Sequence, residues 1–346
     1  MWKVGLIGTG FWSDKHLQAW SRIPGVQITA LCNRSPEKLM KAASKYNISS
    51  DQLYSHIDDL LAHADVDIID IVTGAETHVD FVRKAAQAGK HIMCQKPFAP
   101  TMEEAEEMVS LAKRNGVRLM VTENWRWLEP FQTIKEVIDS GELGKLHVAR
   151  YMHTDYYTPR MEPEAELPQP FFRTMPKLLF YEMGVHWFDT WRFLFGTPQR
   201  LTAELTRVSD HIIGEDSGIV MLGHEGFYGF MDMSWATRQK LDRPLGEQVK
   251  AVHLEQFVID GSNGSLKMYT DGKITVVSKD GASERVVKDE TTLDHEESHF
   301  RLQSHFIACL SNGEPFQTSG EDNLITLRLA FSVYESAAEH KTIAII

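Results

Sequence analysis

The first 124 residues alternate short apolar runs with stretches of helical spacing. "KVGLIGTG" reads as a strand ending in glycines, and "SDKHLQAWSRI" follows it with apolar residues on one helical face. "VQITALCN" is a second strand, and "SPEKLMKAASKYN" is a helix with Ser35 as N-cap and Pro36 at its first position. "VDIIDIVTG" is almost wholly apolar, as a strand covered on both faces must be. The helix "ETHVDFVRKAAQAG", the strand "KHIMCQ", the helix "TMEEAEEMVSLAKRNG", which begins with Thr101 as its cap, and the strand "RLMVTEN" complete the series. The alternation predicts right-handed βαβ units and a doubly wound parallel α/β sheet over residues 1–124.

From residue 125 to residue 346 the rhythm changes. A helix, "FQTIKEVIDSGELG", leads to longer alternating strands: "KLHVARYMHTDYY", "RLTAELTRV", "SGIVMLGHEGFYGFMDMSWAT", "HLEQFVIDGSNGSLKMY" and "KITVVSKDG". Turn signals between several of them predict antiparallel pairing. Two helical patterns close the chain, "HFRLQSHFIACLSNG" and "EDNLITLRLAFSVYESAAEH", so this half reads as an α+β domain with an open, mainly antiparallel sheet.

Composition narrows the function. With 346 residues, 42% hydrophobic and 24% charged, the chain is long enough for two cores. A net charge of −12 without a basic stripe argues against nucleic acid. No apolar run approaches the ~18 residues of a membrane span. "WKVGLIGTG" after Met1 reads as a strand rather than an export signal, and Cys32, Cys94 and Cys309 are too scattered for a disulfide framework. The expectation is a cytoplasmic protein that handles small molecules.

Gly8-Thr9-Gly10-Phe11-Trp12-Ser13 lies between a strand and a helix, where a dinucleotide fingerprint belongs. The first glycine permits the turn, the second lets backbone approach a pyrophosphate, and the helix N-terminus supplies N–H groups. The plainer alternative is a strand–helix turn that needs a glycine. At the end of the second strand stand Asn33, Arg34 and Ser35, where NAD-specific sites usually have a carboxylate. Asn33 can bond a ribose hydroxyl and Arg34 can hold a 2′-phosphate, so NAD and NADP both stay open.

Lys96, in "HIMCQKPF", follows the carboxyl end of a strand, the edge at which doubly wound sheets bind ligands. There an ammonium can stabilise an alkoxide; the alternative is an ordinary surface lysine. In "YEMGVHWFD", Glu182 and His186 are four apart on a predicted helix, so they share a face, with Asp189 near it. A histidine beside a carboxylate is a natural base near neutral pH. Its alternative is the core of an amphipathic helix that also carries Trp187, Phe188 and Trp191.

Gly8-Thr9-Gly10, "THVDFVRKAAQAGKHIMCQKP", "ENWRW", "GELGKL" and "EMGVHWFDTWRFLFG", in this order and spacing, resemble the glucose–fructose oxidoreductase / inositol dehydrogenase / MocA family over nearly the whole chain. The resemblance implies a Rossmann domain, a C-terminal α+β domain, and a homodimer or homotetramer built on the open sheet. It implies NAD(P)-dependent oxidation of a sugar or polyol, with no metal. The family's Glu-Lys-Pro motif matches Gln95-Lys96-Pro97, which makes Lys96 a proton-transfer residue and places Gln95 by the nicotinamide ribose. Its Asp-x-x-x-His motif matches Glu182 to His186, which makes His186 the acid/base. Cofactor contacts are implied for Gly8, Thr9, Gly10, Phe11, Trp12, Asn33, Arg34, Thr73, Gly74, His78 and Asn124, and substrate contacts for His153, Asp155 and Asp189. "CQKP", "ENWRW", "PFFRT", "GED" and "SWAT" are similar to a smaller group that includes D-apiose dehydrogenase.

Two other readings compete. A dinucleotide-binding sensor with the same fold and no chemistry would have no use for both Lys96 and His186. "HEESHFRLQSH" formally contains a zinc-protease motif through His295, Glu296, His299 and His305. Leu302 stands where that motif needs a helix-breaking glycine, so a polar helix start is the better reading.

Overall fold

The computed structural model describes residues 1–238 and 255–345, which fall into two compact units. One comprises Met1–Trp127 with Asp294–Leu327, the other Leu128–Leu293 with Arg328–Ile346.

The first unit is built on six parallel strands: β1 (Trp2–Ile7), β2 (Val26–Cys32), β3 (Leu53–Tyr54), β4 (Ile68–Ile71), β5 (His91–Cys94) and β6 (Leu119–Val121). Their order, β3-β2-β1-β4-β5-β6, is that of a doubly wound dinucleotide fold, with the order reversing beside β1. The helices are α1 (Ser13–Arg22), α2 (Pro36–Tyr46), α3 (Ile57–His63), α4 (His78–Gln87) and α5 (Met102–Arg114). The expected caps are present: Ser35 Oγ accepts from Lys38 N–H at 3.4 Å and Thr101 Oγ1 from Glu104 N–H at 3.2 Å. Val4, Ile68, Met93 and Met120 form one core with Trp20 of α1 and Ile23 just past its end. A long helix from the far end of the chain, His295–Asn312, completes that core through Leu302, Phe306 and Cys309. The sequence reading placed this helix with the second half. Amphipathic spacing shows that a helix has a partner face but not which sheet supplies it.

The second unit begins with α6 (Glu129–Asp139) and β7 (Leu146–Thr154), followed by α7 (Leu179–Glu182) and α8 (Gly184–Phe195). The strands β8 (Arg200–Thr206), β9 (Ser217–His224), β10 (Phe227–Ser234), β11 (Glu255–Gly261), β12 (Gly264–Met268), β13 (Ile274–Ser278) and β14 (Glu284–Lys288) come next. After α9 (His295–Asn312) and α10 (Gly320–Glu339), β15 (Ile343–Ala344) completes a nine-stranded sheet, β14-β13-β12-β11-β7-β10-β9-β8-β15. β7 and β10 run parallel and the other neighbours antiparallel. "SGIVMLGHEGFYGFMDMSWAT" and "HLEQFVIDGSNGSLKMY" each fold as a hairpin, turning at Glu225-Gly226 and at Ser262-Asn263. His253 and Leu254 of the latter stretch lie outside the described residues.

Tyr151 of β7 stacks on Phe257 of β11 at 4.0 Å, and Phe131 of α6 meets both rings edge-on. Trp191 of α8 lies against Gly229 of β10, where an added Cβ would come 2.2 Å from the indole. On the strands facing away from this core, Ile219, Met221 and Tyr228 are exposed. No helix among the described residues is long and apolar enough to cross a membrane.

Candidate active site

The glycine turn between β1 and α1 has the geometry a pyrophosphate needs. Gly8 has φ +94°, and a Cβ there would come 2.2 Å from the Val72 carbonyl oxygen, so only glycine fits. A Cβ on Gly10 would meet nothing within 4 Å, which leaves open space above the backbone. Ser13 is buried at the first position of α1 and its hydroxyl donates to Gly10 O at 2.8 Å, closing the turn. A glycine that cannot be replaced and another that faces empty space together form a cradle that fits a dinucleotide.

Other expected cofactor residues border this edge in different ways. Asn33 Nδ2 donates to Thr9 Oγ1 at 2.5 Å and its Oδ1 accepts from Ser35 N–H at 3.0 Å, while Arg34 is exposed. Phe11 is 65% exposed; Trp12 stacks on His299. Thr73 Oγ1 lies 2.7 Å from Thr77 Oγ1, and Gly74 precedes the turn into α4. His78 is fully buried, its Nδ1 3.0 Å from Phe98 O and its Nε2 3.1 Å from Thr73 O. Its ring therefore ties two loops together, and burial lowers its pKa. Asn124 is buried and donates to Ser298 Oγ at 2.7 Å.

Lys96 directly follows Gln95 at the end of β5, and both are buried, at 9% and 6% exposure. The Lys96–Pro97 peptide is cis. Gln95 Oε1 accepts from the Lys96 backbone N–H at 2.7 Å, and Gln95 Nε2 lies 3.1 Å from His16 Nε2.

In the second unit the expected catalytic helix is divided. α7 ends at Glu182 and α8 starts at Gly184, with Met183 as the junction. Gly184 packs tightly, since a Cβ there would come 3.2 Å from Phe180 Cβ. The single-helix expectation is thus corrected to two consecutive short helices. Glu182, His186 and Asp189 are all buried, at 6%, 5% and 0% exposure. Three ionisable side chains within eight residues of a hydrophobic helix pair are costly to bury unless they serve one another or a ligand.

His153 on β7 is 3% exposed, and its Nδ1 lies 2.5 Å from Glu255 Oε1 across the β7–β11 ladder. His153 Nε2 has no hydrogen-bond partner among the described residues, and the Trp187 ring lies 5.0 Å away. Burial works to lower the pKa of His153, but the Glu255 carboxylate outweighs it and the net direction is upward. Asp155, just past β7, is raised, chiefly by burial and against the pull of His153. Arg173 donates to the carbonyls of Met161, Arg160, Glu162 and Ala165, so it shapes its own loop. Trp235 stacks on Phe172, and Trp125 is buried beside His295; both are packing residues.

The protease motif also resolves. Glu296 pairs with Lys15 and accepts from Gln18, His299 Nδ1 lies 2.6 Å from His295 O, and His305 Nε2 accepts from Gln317 N–H at 3.0 Å. Among the described residues, no group of three His, Cys, Asp or Glu side chains can hold a metal ion.

Residues 2–123 match the model of an oxidoreductase family with an NAD-binding Rossmann fold, and residues 131–267 match the C-terminal domain of the same Gfo/Idh/MocA family. The chain belongs to that family. It is 35% identical to a D-apiose dehydrogenase of Paraburkholderia graminis, over 99% of this chain and 89% of the relative. A D-apiose dehydrogenase of Rhizobium rhizogenes is 31% identical, over 99% and 97%. An oxidoreductase from Agrobacterium radiobacter, solved with NAD⁺, L-tartaric acid and magnesium, superposes with a TM-score of 0.88 at 30% identity, covering 99% and 98%.

Three buried polar residues near this family's expected motifs escaped the sequence reading: His16, Asp70 and Glu255. Each left a trace. His16 shares the apolar face of its helix with Trp20, and Asp70 interrupts "VDIIDIV". Glu255 occupies the same strand phase as Phe257 and Ile259, which are buried.

Proposed function

We propose that the protein is an NAD⁺-dependent dehydrogenase of a sugar or polyol hydroxyl, with an aldose such as D-apiose as the leading substrate and a lactone as its product. The observation that carries this reading is the burial of Lys96 at the carboxyl end of β5, in a unit whose glycine turn fits a dinucleotide. The family and the two D-apiose dehydrogenase relatives support it.

Bound nicotinamide supplies the acceptor for a hydride leaving the carbinol carbon. The chain must then remove the hydroxyl proton and steady the developing alkoxide. His186 is assigned the proton, and Lys96 holds the alkoxide oxygen by its ammonium. Glu182 and Asp189 orient the histidine and the substrate hydroxyls. His153, held by Glu255 and with no partner for Nε2 among the described residues, offers a further contact to a ring hydroxyl. The NAD-binding family model and the Agrobacterium radiobacter neighbour solved with NAD⁺ support NAD⁺ as the cofactor, while Asn33 and the exposed Arg34 leave a 2′-phosphate acceptable.

The test mixes purified protein with aldoses and polyols, D-apiose included, and NAD⁺ or NADP⁺, and reads nicotinamide absorbance. Turnover with NAD⁺ and one sugar, falling at least ~100-fold in Lys96→Ala, is expected. Cofactor binding with no turnover across the panel would favour the sensor reading instead.

A further inference from the structure

The hydrogen bonds around Gln95 run in one direction. The Lys96 backbone N–H can only donate, so the Gln95 atom 2.7 Å from it is the carbonyl oxygen. The amide nitrogen at the other end can only donate, so His16 Nε2, 3.1 Å away, accepts. The ring proton of His16 therefore sits on Nδ1, which faces both Asp70 oxygens at 3.1 and 2.9 Å. Trp20 Nε1 donates to the same carboxylate at 2.7 Å. His16, Asp70 and Trp20 are each 0% exposed, so water does not share these bonds.

The chain of bonds ends where the sheet ladder ends. Gln95 N–H still donates to Ile71 O of β4 at 2.9 Å, in register with the strand pairing. The Lys96 N–H is instead met by the Gln95 side chain. We propose that His16 and Asp70 are positioning residues for Lys96, acting through the Gln95 amide. The inference rests on the catalytic reading of Lys96, though the bonding itself does not.

The arrangement also accounts for glutamine at position 95. A glutamate there would accept from Lys96 N–H as well, but would turn a second acceptor toward His16 Nε2. Two acceptors would then face each other unless a proton were added between them. Among the described residues, His299 of α9 also faces the His16 ring, 5.0 Å away.

Two measurements on the full chain test this without turnover. Two-bond proton–nitrogen correlations on [¹⁵N]histidine-labelled protein should show His16 with its proton on Nδ1, and this pattern should change in Gln95→Glu. In [¹⁵N]lysine-labelled protein, the Lys96 amide peak, identified by its loss in Lys96→Arg, should move in both His16→Leu and Gln95→Met. Kinetics add a third arm. Each variant should lower kcat about tenfold with little change in sugar KM, and the double variant should be no worse than Gln95→Met alone. Thermal melts confirm folding, and Gln95→Met, nearly equal in volume, covers the case in which His16→Leu fails to fold.

An Nε2–H tautomer for His16, an unmoved Lys96 amide, or kinetic losses that multiply to about a hundredfold would each overturn the proposal. Full activity in Lys96→Ala would defeat the catalytic reading while leaving the two spectroscopic results to stand or fall separately.

Discussion

Gly8 and Gly10 are two residues apart, yet alanine at each should fail for a different reason. At Gly8, φ of +94° is unfavourable for any L-residue, at a cost of roughly 1–2 kcal/mol. The new Cβ would also lie 2.2 Å from Val72 O, and real Cβ contacts stay beyond 3.0 Å, so at least 0.8 Å must be found. Val72 cannot yield easily because its N–H donates to Ile7 O at 2.8 Å, at the end of the β1–β4 pairing. Together these give about 2–4 kcal/mol, or roughly 5–15 °C in melting temperature for a unit of this size. At Gly10 the Cβ meets no atom, so melting should shift by no more than about 2 °C. The methyl would instead fill space that the turn leaves for a pyrophosphate, and NAD⁺ should bind at least ~10-fold more weakly. Thermal melts and titration calorimetry of the two single variants separate these effects. A Gly8→Ala protein that melts like the parent would refute the steric argument. A Gly10→Ala protein with unchanged NAD⁺ affinity would refute the placement of the pyrophosphate.

Three further outcomes are expected. His224 is lowered from 6.5 to about 4 by burial, and its Nε2 accepts from Trp191 Nε1 at 3.0 Å. The unfolded chain takes up that proton first, so stability should fall as pH drops from 6.5 toward 4. The limit is about 3 kcal/mol, and about 1–2 kcal/mol after allowing for solvent at a half-buried ring. Urea midpoints at several pH values should show this acid limb flattened in His224→Gln. For His153 the sign is opposite: its raised pKa stabilises the fold below 6.5, and that contribution disappears as pH rises through the folded value. Glu255→Gln should cost about 1–3 kcal/mol at pH 6, less at pH 8, and histidine NMR should show His153 titrating lower than in the parent. Finally, since Glu296 is held by Lys15 and Gln18, metal analysis of the purified protein should find no stoichiometric zinc, and chelator should leave turnover intact.

What the sequence revealed and what it concealed divide along the range of the interactions. Ser35, Thr101 and Gly8 act within three or four residues or through their own backbone angles, so their roles could be read directly. The two-residue strand β3 and the seven-residue helix α3 carry too few apolar positions to establish a period, and both went unread. The break at Met183 is a matter of crowding, because Gly184 lies against Phe180 and the helix pattern continues unaltered in the residue types. α9 was recognisable as a helix, but its partners Val4, Ile68 and Met93 lie more than two hundred residues away in the chain. His16 and Asp70, fifty-four residues apart, were concealed for the same reason.

Among the described residues, each unit contains a buried carboxylate hydrogen-bonded to a histidine, Asp70 to His16 and Glu255 to His153, and the two pairs differ in how fully they are satisfied. A carboxylate removed from water is tolerated only when donors meet it. Asp70 has two, the His16 ring and the Trp20 indole, and the ring's other nitrogen accepts from Gln95. Every ring nitrogen of that pair is engaged, which suits a part that must hold one geometry. Glu255 meets His153 Nδ1 and interacts with the Tyr151 hydroxyl, but His153 Nε2 has no partner among the described residues. An unfilled donor or acceptor at that depth costs about 1–3 kcal/mol, which a ligand can recover by filling it. The first pair is therefore satisfied within the fold, and on the proposed function a substrate hydroxyl would complete the second. A Glu255→Gln variant should accordingly weaken sugar binding and leave NAD⁺ affinity unchanged, whereas His16→Leu should lower turnover with little effect on sugar KM. The reverse assignment of those two effects would show that completeness of hydrogen bonding does not separate a supporting pair from a binding one.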